Sequence, residues 1–153
     1  MKNLLPMLLL LTIWGCKKDN VDKTPELLSK SWKMTAWTVL TPFEGTPLQG
    51  VSTDWFDANP CVADAISTFI IDRTFTLQTV ATCNFQDTYY AVWTLSNNSK
   101  VINVTFTHGG YSDFSYTIVE LTASKLIVTR LEKTGLPNSE VMDLLMRYEF
   151  VPK

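Results

Sequence analysis

His108 is the one histidine in this chain of 153 residues. It stands beside Gly109-Gly110, and no serine or cysteine nucleophile motif lies near it. A catalytic histidine needs a positioned partner to give or take its proton. Asp113 is near in sequence, which supplies no geometry, so His108 reads as part of a turn. Asp54, Asp57 and Asp64 crowd one segment, and carboxylate oxygens so close could ligate Ca2+. A polar loop accounts for them with fewer assumptions. Between them stand Trp55 and Phe56. At a pocket mouth these rings would contact a ligand; under a loop they would simply pack. Three cysteines, Cys16, Cys61 and Cys83, complete the reactive set. Nothing here forms a catalytic constellation or a metal centre, so neither an enzyme nor a cofactor is expected. Net charge is -2, with no basic cluster beyond Lys17-Lys18, which argues against a nucleic-acid partner.

What the cysteines do depends on the compartment. Lys2 precedes an apolar run from Leu4 to Trp14, broken by Pro6 and Thr12. The run is shorter than the roughly 20 residues of a membrane span and has the form of an export signal. Ile13-Trp14-Gly15-Cys16 resembles the lipobox of bacterial lipoproteins, in which the cysteine is acylated and the chain is cut just before it. That resemblance implies a signal peptide over 1–15, a lipidated Cys16, a flexible tether over 16–23 and a folded domain over 24–153. Lys17-Lys18-Asp19 resembles the charged tags that route Bacteroidetes lipoproteins to the cell surface. The expected location is the outer membrane, on its periplasmic face or at the surface. In an oxidising compartment Cys61 and Cys83 are an even pair, and a disulfide is the leading reading over two buried free thiols or a metal pair.

The elements that must position these residues are mostly strands. Thr24-Pro25-Glu26 predicts a short helix with a Thr N-cap, ending near Ser31. Eight runs rich in Thr, Val, Ile and aromatics follow: 32–40, 66–71, 74–81, 88–95, 101–107, 112–121, 125–133 and 140–151. Alternation is clear in Ala91, Trp93 and Leu95, and in Met142, Leu144, Met146, Tyr148 and Phe150. It is muddled in the first run, where Trp32, Met34 and Ala36 compete with Trp37 and Val39 for the inner face. Short links favour an up-and-down meander, and closing it into a barrel removes its exposed edges. Alternate links fall at the same end of a meander. Asp72-Arg73, 96–99 and 122–124 pinch one end, and the longer links 41–65, 82–87, 108–111 and 134–139 share the other. Both Cys61 and Cys83 belong to that open end.

The short helix, Leu28-Ser29-Lys30-Ser31-Trp32 and the meander with its long first link resemble the lipocalin-like domain of many Bacteroidetes lipoproteins. The Cys61-x-x-Asp64 piece, Asp72-Arg73-Thr74 (often Asp-Gly-Thr there), Cys83, Trp93-Thr94-Leu95-Ser96 and Tyr148-Glu149-Phe150 carry the resemblance along 24–153. Lys30 stands where lipocalins have the glycine of Gly-x-Trp. Arg147 is a candidate to stack on Trp32, as an arginine does in lipocalins, although its parity places it outside. The resemblance implies an all-β, eight-stranded antiparallel lipocalin-like barrel, monomeric, with an apolar cavity and no established activity. The expected role is non-catalytic binding of a small hydrophobic or amphipathic ligand by Trp55, Phe56 and Tyr111 at the mouth and Trp93, Phe106, Tyr116 and Met146 inside. The alternative is an envelope protein-protein interaction module with a filled core.

A Cys61–Cys83 bond would close a loop of about 20 residues, worth roughly 3 kcal/mol in the chain-entropy model. Thiol titration of the oxidised, denatured domain should find neither cysteine reactive; two reactive thiols would rule the bond out.

Overall fold

The computed structural model describes residues 22–40, 64–79, 87–108, 112–135 and 141–153, with 134, 135, 141 and 142 described in backbone only. A short helix α1 (Thr24–Leu28) leads into β1 (Ser31–Val39), β2 (Ile66–Phe69), β3 (Thr74–Gln78), β4 (Thr88–Ser96), β5 (Val101–Phe106), β6 (Phe114–Leu121), β7 (Leu126–Gly135) and β8 (Val141–Pro152). The strands pair antiparallel in sequence order, and β8 returns to β1, giving the closed eight-stranded barrel that the sequence predicts. Closure gives each strand a paired neighbour on both sides.

The helix departs from expectation at both ends. Thr24 is already helical, Lys23 is the cap position, and Asp22 Oδ1 accepts the Thr24 N–H at 3.0 Å. The charged carboxylate two positions earlier takes the capping role expected of Thr24. The helix ends at Leu28 because the backbone of Ser29 leaves helical geometry (φ −71°, ψ 78°), while its N–H (3.0 Å) and its hydroxyl (2.7 Å) still satisfy Pro25 O.

The muddled parity of β1 has a structural cause. Met34 pairs with Phe150 and Ala36 with Glu149, so Thr35 is an extra residue, a β-bulge. Trp32 and Met34 point inward before it; Trp37 and Val39 pack against the core after it. Trp32 and Met34 of one set and Trp37 and Val39 of the other are therefore inner, on different stretches of one strand, while Ala36 takes the outer parity. A second bulge at Val119 does the same in β6, where Phe114, Tyr116 and Ile118 face the core before it and Leu121 after it.

The core fills the half of the barrel next to the tight turns. Leu28, Trp32, Trp93, Ile102, Val104, Leu126 and Val128 are buried there. The fully buried indoles of Trp32 and Trp93 each have a partner for the N–H, as such groups require: Trp32 Nε1 donates to Leu28 O and Trp93 Nε1 to Ile70 O, both at 2.9 Å. The segment around α1 closes this end. Asp22 accepts a hydrogen bond from Ser99, Lys30 Nζ donates to Ala123 O at 3.0 Å, and Lys30 O accepts the Phe69 N–H at 3.1 Å. Lys30, not Arg147, is the cation over Trp32, at 5.3 Å from the ring. Arg147 is paired with Glu149 at 2.9 Å, consistent with its outward parity.

Four non-glycine residues in the tight turns have positive φ: Arg73 (79°), Asn97 (52°), Asn98 (52°) and Ser99 (60°). Asparagine tolerates this region; arginine does so at a cost of about 1–2 kcal/mol. The Arg73 guanidinium lies 4.5 Å from the Trp93 ring, a cation-π contact worth about 0.5–1 kcal/mol at an exposed site. Arg73→Ala should lose the contact and keep the strain, lowering stability by about 1 kcal/mol. Arg73→Gly should lose both and change stability by less than about 0.5 kcal/mol. Urea midpoints of the two variants check the ordering.

Candidate functional site

At the end away from the tight turns the barrel is hollow. A cavity of about 520 Å³ opens there. One wall is small and polar or aliphatic, with Ala65, Ser67, Leu77 and Thr79 from the β2–β3 region. The facing wall is aromatic. Trp37 stacks on Tyr148 at 5.6 Å and 23°, Tyr148 meets Tyr116 at 5.5 Å, Tyr116 meets Phe114 at 4.8 Å, and Phe114 meets Phe75 at 6.2 Å. Rings in tilted and edge-to-face contact hold one another rigidly, so this surface is preformed.

Two charges enter this aromatic wall from β7. Arg130 pairs in register with Met146 and Glu132 with Leu144, both inward residues of β8, and both charged side chains line the cavity. The Arg130 guanidinium lies 4.8 Å from the Phe114 ring. Its Nε is 3.7 Å from Glu132 Oε1, near enough to balance charge and too far for a good hydrogen bond. The Tyr148 hydroxyl donates to Glu132 Oε1. Burial pushes the Tyr116 phenol up to about 12, against the pull of the nearby Arg130 charge. Tyr148 is raised further, first by burial, then by Tyr116 and by its bond to Glu132. At the rim, Asp87 accepts from the Tyr89 hydroxyl at 3.2 Å.

Of the interior residues expected at a site, Tyr116 lines the cavity. The structure does not bring the other three to its wall. Trp93 is fully buried against Phe69 in the packed half, Met146 is buried in the core, and Phe106 backs Phe75 at 6.3 Å. Trp55, Phe56, Tyr111, Cys16, Cys61, Cys83, Asp54 and Asp57 lie outside the described residues. Asp64 is ion-paired with Lys33 at 3.0 Å. His108 is exposed, with Nδ1 3.1 Å from the Thr107 hydroxyl, while Asp113 accepts the Phe106 N–H at 3.0 Å. Asp113 fastens the turn and does not orient His108. The residues that sequence reading missed are Trp37, Arg130, Glu132 and Tyr148. The clean alternation of β8, continued across the ladder to β7, is the signal that points to the charged pair.

The architecture is a closed eight-stranded antiparallel barrel, packed at one end and hollow at the other. Residues 28–128, well over half of the chain, match the family model of the lipocalin-like domain, and the chain belongs to that family. Among solved structures, the chain is similar to a DUF4847 family protein from Bacteroides vulgatus, at 12% identity and a TM-score of 0.48, covering 82% of this chain and 93% of that one. No curated protein matches the sequence.

The raised phenols link stability to alkaline pH. Below pH 10 the tyrosines are neutral in both folded and unfolded chains, and their contribution is complete. Between about 10 and 12 the unfolded chain gives up its phenolic protons while folded Tyr116 keeps its own, so stability falls as pH rises. Tyr148→Phe should be less stable at pH 8 by about 1.5–3 kcal/mol, the worth of a hydrogen bond to a charged group. Its further loss between pH 9 and 11 should be smaller than that of the wild type. Urea midpoints across that range check both.

Proposed function

We propose that this protein is an envelope lipoprotein whose barrel holds a small, largely apolar molecule without transforming it. The observation that carries the reading is the preformed cavity of about 520 Å³ with an aromatic wall and one polar cluster. That volume is within the usual range for small-molecule sites, and mostly apolar walls with a few convergent polar groups are their usual makeup. A filled interior would instead favour an interaction module working through the rim loops. Anchoring through Cys16 after loss of residues 1–15 rests on the lipobox resemblance of Ile13-Trp14-Gly15-Cys16, as does an outer-membrane location. An acylated N-terminus and the polar segment after it would leave the open end of the barrel accessible while keeping the protein at a surface. The non-catalytic reading is supported by the charge balance in the cavity: Glu132 accepts from Tyr148 and lies 3.7 Å from Arg130, so the carboxylate is held as a counter-ion rather than as a free general base.

Mass spectrometry of the full chain, purified from the membranes of its own source, tests both halves. The denatured mass should correspond to the chain from Cys16 plus acyl groups, and Cys16→Ser should lose the acyl mass. The native spectrum should carry an additional small molecule that Ser67→Trp, which fills the cavity from β2, removes. An unacylated mass would refute the anchor. A bare native spectrum together with failure to take up the apolar probe N-phenyl-1-naphthylamine would refute the ligand reading.

A further inference from the structure

The polar cluster inside the cavity carries information about the ligand's polar end, and the inference below rests on the ligand-binding reading above. Arg130 and Glu132 are two apart on β7, so their side chains leave the same face of the barrel wall. Both side chains line the cavity and are partly exposed, at 28% and 27%. Neither is free to swing. The guanidinium plane is held over Phe114, and the carboxylate is held by the Tyr148 hydroxyl.

Their mutual spacing of 3.7 Å leaves each with hydrogen-bonding capacity. A guanidinium has five N–H donors, and a carboxylate has about four acceptor positions. Tyr148 occupies one position on Glu132. Donors and acceptors therefore stand side by side, facing the same hollow, with no net charge between them.

We propose that the cavity selects a neutral head group that both accepts and donates hydrogen bonds, such as a primary carboxamide, a urea or a cyclic imide, carried on a flat apolar body. Its carbonyl would accept from Arg130 and its N–H would donate to Glu132, leaving the internal pair balanced. A carboxylate head would place a second negative group beside Glu132 with one guanidinium to share, and Asp87 at the rim adds to the repulsion. An ammonium head would meet the Arg130 charge in the same confined space. Where the charged side chains are mostly covered by protein, both penalties are larger than at an open surface. The flat body is matched by the stacked Trp37 and Tyr148 rings.

The test is isothermal titration of the full chain at pH 7 with three matched compounds: 2-naphthamide, 2-naphthoate and 2-naphthylmethylammonium. The amide should bind at least tenfold more tightly than either ion. Substitution should then move the preference in opposite directions. Glu132→Gln leaves the guanidinium unbalanced and should shift preference toward the carboxylate. Arg130→Met leaves the carboxylate unbalanced and should shift it toward the ammonium. The wild-type series stands on its own should either variant fail to fold. Equal affinities within threefold, or tightest binding of the carboxylate, would overturn the head-group inference. So would uptake of N-phenyl-1-naphthylamine with none of the three bound. If that apolar probe is also refused, the ligand-binding reading falls with it.

Discussion

Everything inside this barrel depends on the ladder between its first and last strands. β1 and β8 are joined from Trp32 opposite Pro152 to Val39 opposite Met146. Without that ladder the meander would have two open edges, and an exposed edge is a template for association. With it, inward side chains from distant parts of the chain share one enclosed space. The ladder is not regular, because the bulge at Thr35 shifts register between Met34 and Ala36. That irregularity lets one strand send Trp32 into the packed half and Trp37 into the hollow half. A strictly alternating strand would have turned one of the two indoles toward water.

The internal charge pair costs the interior more than apolar side chains in its place would. Desolvating two ions is repaid only when geometry and further hydrogen bonds are good. Here the pair is separated by 3.7 Å, and the remaining support comes from Phe114 beneath the guanidinium and Tyr148 against the carboxylate. Apolar residues of similar volume at positions 130 and 132 would fit the aromatic wall and avoid the penalty. An arrangement that gives up stability inside an otherwise apolar barrel fits a binding role better than a packing role.

Much of the fold was legible in the sequence because each hairpin is local. One-sided strands with polar breaks gave all eight elements, and most of their ends agree with the observed ones within a few residues. The site was less legible, for two physical reasons. Alternation says which face a residue takes but not its height along the barrel axis, so Trp93 and Tyr116 look alike although one is in the packed half and the other at the cavity. In β7 the pattern itself misleads. Ile127 and Leu131 suggest the wrong inner face, since Leu131 is 61% exposed while Arg130 and Glu132 point inward. Pairing with β8 overrides the local pattern, because β7 contributes only part of the energy that fixes its own orientation.

The division of the interior into a packed and a hollow half follows from residue size at matching heights. Near the tight turns, Trp32, Trp93 and Phe69 meet across the barrel with Leu28 from α1 among the buried core. Toward the other end, β2 and β3 and their flanks offer Ala65, Ser67 and Thr79, too small to reach the aromatic wall carried by β6 and β8. Eight strands give an interior that side chains can just fill, so a run of small residues on one side is enough to leave room for a ligand. The large residues that hold the barrel together and the small ones that open it therefore occupy different heights of the same strands. A barrel so arranged can change its ligand by substitution at positions such as Ser67 and Thr79 while the packed half, sealed by Trp32 and α1, continues to hold the fold.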